Sequence, residues 1–234
     1  MRFNWPFYLL AGCGVVGLVI CWLFWSSPLF LLLAALVSLP TIGSLVVSWW
    51  VYDASPLYAL PFLDDLVPKR GGTIVSLTAG LDEVSSVLRE KCPDCHLKVY
   101  DFYDESVHSE ASIRRARAVY PMGDHVGGIR TDRSLPVEDG TVDLILGFMS
   151  LHEIRNRTER VRFLAFLRSA LSDEGRLVVT EHVRDLANGL AFTLGVFHFH
   201  SVGTWRADFA EAGLGFISEE RCTPFVRTFV LCRA

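Results

Sequence analysis

The chain has 234 residues, 51% of them hydrophobic, and a formal net charge of −4. Between Arg2 and Asp53 there is no Asp, Glu, Lys or Arg; the remainder carries 21 basic against 26 acidic residues, a net −5. That mildly acidic remainder lacks the basic face that nucleic acid requires, and fifty uncharged, mostly apolar residues read as a bilayer segment rather than part of a soluble core.

Residues 1–52 are expected to form a transmembrane hairpin. Phe7 to Trp25 and Pro28 to Val51 are each long enough as helices to cross the ~30 Å hydrocarbon core, and Ser26-Ser27-Pro28 forces a tight reversal between them. Trp5, Trp22, Trp25, Trp49, Trp50 and Tyr52 cluster at the span ends, as interfacial aromatic belts do. Pro40 frees a helix carbonyl that Thr41 and Ser44 can partly satisfy. A secretory signal peptide fits less well, because a second apolar run follows at once with no small-residue cleavage site. Arg2 and Lys69-Arg70 flank the hairpin while its turn is uncharged, which predicts both ends, and so the catalytic domain, on the cytoplasmic side of the cell (inner) membrane.

After the hairpin, Asp53-Ala-Ser-Pro56 resembles a helix start, and 53–72 is expected to be a linker helix with Leu57, Leu60, Phe62, Leu63 and Leu66 apolar. Residues 73–234 then alternate strand and helix. Strands are predicted at Thr73–Leu77, Leu97–Tyr100, Gly128–Thr131, Val142–Met149 and Arg176–Thr180. Helices are predicted at Asp82–Lys91, Glu110–Tyr120, Arg160–Leu171 and Thr204–Ala212, and a strand pair, Phe216–Glu220 with Arg227–Cys232, closes the chain. This is an α/β, Rossmann-like pattern with a mostly parallel sheet covered on both faces. Six cysteines at 13, 21, 92, 95, 222 and 232 form no disulfide framework, as in a reducing compartment. Cys92-Pro-Asp-Cys95 is half of a zinc site with no second pair, so a turn before a strand is expected.

Ligands bind such sheets at the carboxyl ends of the strands, near the point where strand order reverses. Those ends offer Thr78-Ala79-Gly80, Asp101-Phe102, Asp132-Arg133, Phe148 through Arg155, and Glu181-His182. Asp101, 21 positions beyond Gly80, is placed to accept hydrogen bonds from ribose hydroxyls, and Asp132 to accept from an adenine amino group.

From Thr73 to Arg233 the chain resembles the class I S-adenosylmethionine (SAM) dependent methyltransferases, especially their quinone and lipid branch. The stretch Asp132-Arg-Ser-Leu-Pro-Val-Glu-Asp-Gly-Thr-Val-Asp-Leu-Ile-Leu-Gly-Phe-Met-Ser-Leu-His152 carries most of the resemblance. Leu171-Ser-Asp-Glu-Gly-Arg-Leu-Val-Val resembles the family's turn into its fifth strand, and the closing strand pair, turning near Thr223-Pro224, its terminal antiparallel hairpin. The resemblance implies SAM as cofactor, with Asp101 on the ribose, Asp132-Arg133 flanking the adenine, Gly147-Phe148 lining the cleft, and Thr78-Ala79-Gly80 near the methionine end. The first loop departs from the pattern: Ser76-Leu-Thr78-Ala79-Gly80-Leu-Asp82 keeps one glycine of the usual three and lacks the preceding acid.

For chemistry, His152-Glu153 and Glu181-His182 follow neighbouring strands and are expected to face one cleft, where a histidine can take a proton as a methyl group arrives. His198-Phe-His200 falls where this fold builds a substrate lid, beside Leu190, Phe192, Leu194 and Phe197, a greasy pocket or membrane-facing patch. Arg155, Arg157, Arg160 and Arg162 read as a solvated helix start or a headgroup contact. The His/Glu residues match no compact metal motif, and no metal is assigned. The expected function is a membrane-anchored methyltransferase for a hydrophobic or lipid-linked small molecule. The rivals are a SAM-fold enzyme moving another group with metal help, and a non-catalytic, membrane-tethered binding module.

Overall fold

The computed structural model describes residues 5–68, 71–106, 111–120, 122, 123 and 125–234. Arg2, Lys69, Arg70 and Glu110 lie outside them. Helix α1 spans Trp5–Trp25 and α2 spans Pro28–Trp49. Both are long and apolar enough to cross a bilayer; no charged side chain interrupts either, and at 1.5 Å per residue each is just over 30 Å long. Ser26, with φ of 50°, makes the reversal. The Thr41 hydroxyl donates to Val37 O at 2.7 Å, one residue past the carbonyl that Pro40 leaves without its donor.

The expected linker helix is not one helix. After a π turn at Trp50–Ala54 the chain makes two 3-10 turns, Pro56–Ala59 and Pro61–Leu63. Pro56 and Pro61 have no N–H to continue an α-helical ladder, and Leu60 turns left-handed between them with φ of 52°. Val51, Leu57, Leu60 and Leu63 are fully buried against the sheet, so this segment belongs to the domain's core rather than linking to it.

The sheet comprises β1 (Thr73–Thr78), β2 (His96–Asp101), β3 (Val126–Gly128), β4 (Val142–Phe148), β5 (Leu171–His182), β6 (Leu214–Thr223) and β7 (Val226–Arg233). Their order is β3-β2-β1-β4-β5-β7-β6. The first five are parallel, and β7 runs antiparallel between β5 and β6. Strand order reverses between β1 and β4, opening a crevice at their carboxyl ends. The short β3 pairs two residues earlier than expected, because only Val126–Gly128 lies in register with Val99–Asp101.

Helices α3 (Ser85–Lys91), α4 (Ala111–Val119), α5 (Arg157–Ala170), α6 (Leu186–Phe192) and α7 (Val202–Glu211) complete the fold. Helix α3 starts three residues late: the Asp82 carboxylate accepts from Ser85 N at 3.1 Å, ending the loop before the helix can begin. Alternate residues of β4 feed two cores. Ile145 packs with Phe163, Leu167, Trp205 and Phe209, whereas Leu144, Leu146 and Phe148 pack with Leu57, Leu63 and Leu88. Burial of both faces is why the parallel strands read as continuous apolar runs. Cys92 and Cys95 do sit in a turn before β2, but they are joined as a disulfide, Cα to Cα 5.4 Å, where none was expected; the turn, closed by Cys95 N donating to Cys92 O, brings the pair together.

Candidate active site at the carboxyl ends of the strands

At the end of β4 the chain passes through Met149, with φ of 49°, into a 3-10 turn at Leu151–Glu153. The Ser150 hydroxyl donates to Leu77 O at 3.0 Å, tying this turn to the end of β1. Glu181, fully buried on β5, accepts from His152 N at 3.2 Å and meets His152 Nδ1 at 2.6 Å. Nδ1 therefore carries a proton. His152 Nε2 and His198 Nε2 each lie 3.3 Å from Glu153 Oε1, and the two rings meet edge to face, 5.0 Å apart.

Burial alone would drive the His152 pKa down, but the Glu181 and Glu153 carboxylates outweigh it and raise the value to about 10. Burial would raise Glu153 in turn; its bonds to His152 and His198 hold it well below the usual carboxylate range instead. Four of the six expected catalytic residues thus form one cluster.

The other two do not. His182 was expected in the same cleft, but successive strand residues point to opposite faces, so with Glu181 inward His182 points away. Its Nδ1 lies 2.9 Å from Phe225 O and its Nε2 2.9 Å from the Tyr52 hydroxyl. A carbonyl only accepts, so Nδ1 holds the proton and Tyr52 donates to Nε2. The ring stacks on Phe199 at 4.9 Å, and burial pushes its pKa down to about 4.

His200 is turned to a buried ion pair between α5 and α7. Arg160 and Asp208 are at most 2% exposed and meet at 2.7 Å, with Arg157 adding a bond to the second Asp208 oxygen. Arg160 Nη1 donates to His200 Nε2 at 3.1 Å, and burial followed by the positive charge of Arg160 pulls the His200 pKa to about 3. Within the expected solvated arginine run, Arg160 is therefore a core residue, and Arg155 reaches across to His198 O.

The expected cofactor residues divide as well. Asp101 Oδ1 accepts from Gly80 N at 2.7 Å and from Tyr103 N at 3.0 Å, and Oδ2 pairs with Arg117 Nη1 at 2.6 Å. The carboxylate expected to hold a ribose is thus already shared between a loop and an arginine. Gly80 has φ of 95°, and a Cβ there would meet Ile113 Cγ2 at 2.7 Å and Tyr103 at 3.1 Å. Ile113 and Arg117, one helical turn apart and so on the same face of α4, together cover the first loop. Thr78 and Phe148 are buried and Gly147 has Leu151 packed against it.

A cavity of about 680 Å³ opens alongside, lined by Phe102, Tyr103, Thr131, Asp132, Glu159 and Arg162 among others. That is within the size range of small-molecule sites. Phe102 lies at its base, tilted against Phe163 with ring centroids 5.7 Å apart, and Asp132 lies on its rim in an exposed bidentate pair with Arg130. Arg133 is exposed beside it. Sequence reasoning missed Arg117, Tyr52 and Asn188, which donates to Phe225 O at 3.0 Å. Only Arg117 had a signal, its four-residue spacing from Ile113.

No protein-family model and no curated protein matches the chain. Solved structures do. An O-methyltransferase family 2 protein from Planctomyces limnophilus, in complex with apigenin, is 17% identical over 83% of this chain, with a TM-score of 0.55. The mitomycin 7-O-methyltransferase is 17% identical over 77%, with a TM-score of 0.53. A SAM-dependent methyltransferase from Aquifex aeolicus is 16% identical over 82%, with a TM-score of 0.55. The likeness is one of fold. This chain spans 62% and 55% of the first two proteins and 97% of the third.

Proposed function

We propose that the protein is a membrane-anchored, SAM-dependent methyltransferase that acts on a hydrophobic or lipid-linked small molecule. The observation that carries this reading is the His152–Glu181 pair, 2.6 Å apart at the carboxyl ends of β4 and β5, in a sheet shared with methyltransferases. SAM, held beside the Phe102–Asp132 cavity and the Asp101 end of β2, supplies an electrophilic methyl group on a positively charged sulfur. Its residues fit in part: Asp101 lies at the right strand end and the cavity is large enough, while Arg117 must move for Asp101 to accept from a ribose.

The protein's own part is positioning and proton handling. Glu181 fixes the His152 ring and leaves Nε2 toward the cleft. With an acceptor hydroxyl or thiol in place of Glu153 at Nε2, one of the two carboxylates that raise the His152 pKa is withdrawn. The ring can then give up its Nε2 proton to solvent and take the acceptor's proton as the acceptor's lone pair bonds to the methyl carbon. Well-placed acid–base groups contribute about 10²–10⁴-fold to such steps.

Support for a lipid-side acceptor comes from α6, which packs against α2. Leu186 and Leu190 on α6, and Leu194 in the 3-10 segment that follows it, are 79%, 73% and 80% exposed. A leucine stripe left bare in this way, continuous with two apolar helices, suits the interfacial region of a bilayer. On this reading α1 and α2 span the cell membrane, with the catalytic domain on the cytoplasmic side.

A second reading has its own observation. Arg117 on Asp101 is what a domain that no longer holds SAM would keep, whether it moves another group or only binds a partner. Calorimetry of the detergent-purified chain with SAM and S-adenosylhomocysteine separates the two; absence of binding at millimolar ligand would sink the methyltransferase reading. If SAM binds, lipid extracts incubated with the protein should gain the mass of one methylene in a SAM-dependent product.

A further inference from the structure

We propose that His152, Glu153 and His198 bind a single divalent transition-metal ion, with Glu181 as the carboxylate that orients it from behind. Their ligand atoms all lie within 4.8 Å of one another. The two His–Glu edges are 3.3 Å, close to the ~3.4 Å between ligands of a tetrahedral ion with bonds of about 2.1 Å. Two imidazoles and one carboxylate make a donor set suited to zinc or ferrous iron rather than to magnesium or calcium.

The second observation is the bond from His152 Nδ1 to Glu181. Histidine ligands usually donate their remote N–H to a carboxylate, which fixes the tautomer and aims the other nitrogen at the metal. Here that carboxylate is fully buried and also accepts from His152 N, so it is itself held in place, and the ring cannot turn without breaking its Nδ1 bond. Glu153 and His198 arrive from separate elements, the turn after β4 and the segment before α7, so the cluster is assembled only by the fold. His152 is 11% exposed and His198 27%, so the cluster reaches solvent.

Three protein ligands are the number found at catalytic zinc sites, where the remaining position takes water or substrate. The ion's role here, unlike its binding, rests on the transferase reading. An acceptor hydroxyl bound to the ion would lose its proton to solvent near neutral pH, as metal-bound water does. Its oxygen lone pair would then bond to the methyl carbon as the carbon–sulfur bond breaks, with that electron pair left on sulfur. The ion thereby takes over the task given above to Nε2, and the acceptor class narrows to hydroxyl-bearing molecules.

The test uses the full chain in detergent. After chelation and desalting, titration with Co²⁺ should produce visible absorption that saturates at one equivalent per chain, and Zn²⁺ should displace it. Glu153→Gln and His198→Ala should each abolish that signal, and Glu181→Gln should weaken binding by about 10–100-fold. Thermal melting of each variant shows whether it is folded, and a variant that does not fold is replaced by Glu153→Asp, which keeps the charge but shortens the reach and should weaken Co²⁺ binding. No saturable binding of Co²⁺, Zn²⁺ or Mn²⁺ by folded wild-type protein would overturn the proposal, as would undiminished binding in a folded His152→Ala/Glu153→Gln/His198→Ala variant. SAM calorimetry on the same samples reports separately on the transferase reading. Metal binding without SAM binding defeats that reading and leaves the site, and SAM binding without metal does the reverse.

Discussion

The two halves of the cleft are built differently. At the ends of β4 and β5, His152 is held between Glu181 on β5 at 2.6 Å and Glu153 at 3.3 Å, on a turn anchored to β1. At the ends of β1 and β2, the positions expected to receive the cofactor are filled by the protein itself, with Arg117 on Asp101 and Ile113 over Gly80. One half is assembled ahead of its ligand and the other must rearrange for one. Reaction chemistry gains from groups fixed in advance, whereas a binding contact can be exchanged for a ligand of similar polarity at modest cost.

That contrast can be broken at several points. The largest effect is expected at the preorganised half: His152→Ala should lower turnover by about 10²–10⁴-fold while SAM affinity, read by calorimetry, stays within a few-fold. A large loss of SAM binding instead would move His152 into the cofactor site. Next is the scaffold under that half. Asp208→Ala leaves Arg160 charged and buried without its partner, at a cost of about 3–5 kcal/mol in denaturant unfolding, whereas removal of an exposed pair such as Arg130–Asp132 should leave the unfolding midpoint nearly unchanged.

Acid sensitivity comes third. His182 titrates near 6.5 in the unfolded chain and at about 4 in the fold, because burial disfavours its charge. The unfolded state binds more protons between those values. Stability is therefore full above roughly pH 7 and falls as pH drops toward 4, by about 3 kcal/mol from this group. His182→Asn should flatten that part of the profile of unfolding free energy against pH. The smallest effect is expected at the occupied half. Arg117→Ala removes a competitor for Asp101 and should tighten SAM binding by a few-fold, about 1 kcal/mol, while Asp101→Ala should abolish it. Weaker SAM binding in Arg117→Ala would mean that the arginine is itself a cofactor contact.

Much of this architecture is written locally. The two apolar helices follow from fifty residues without a charge, and five parallel strands from β-branched runs between helical stretches, because hydrophobic periodicity is a short-range property of the chain. The polar residues at each strand end were equally legible, since the crevice position follows from topology alone. The prolines at 56 and 61 also marked the break in the expected linker helix, but not that its leucines would be buried.

Tertiary structure decided which neighbours those residues meet. Glu181 and His182 are adjacent in sequence and on opposite faces of β5, and only burial on both faces determined which one entered the cleft. His198 and His200 are two residues apart, yet one joins Glu153 and the other a buried ion pair between α5 and α7. The strand-end position of Asp101 predicts a ribose ligand, but its partner Arg117 is set by how α4 packs over the first loop. Local patterns determine what an element is and roughly where it ends. Which side chains share a site depends on contacts between residues tens of positions apart, and those exist only once the layers have packed.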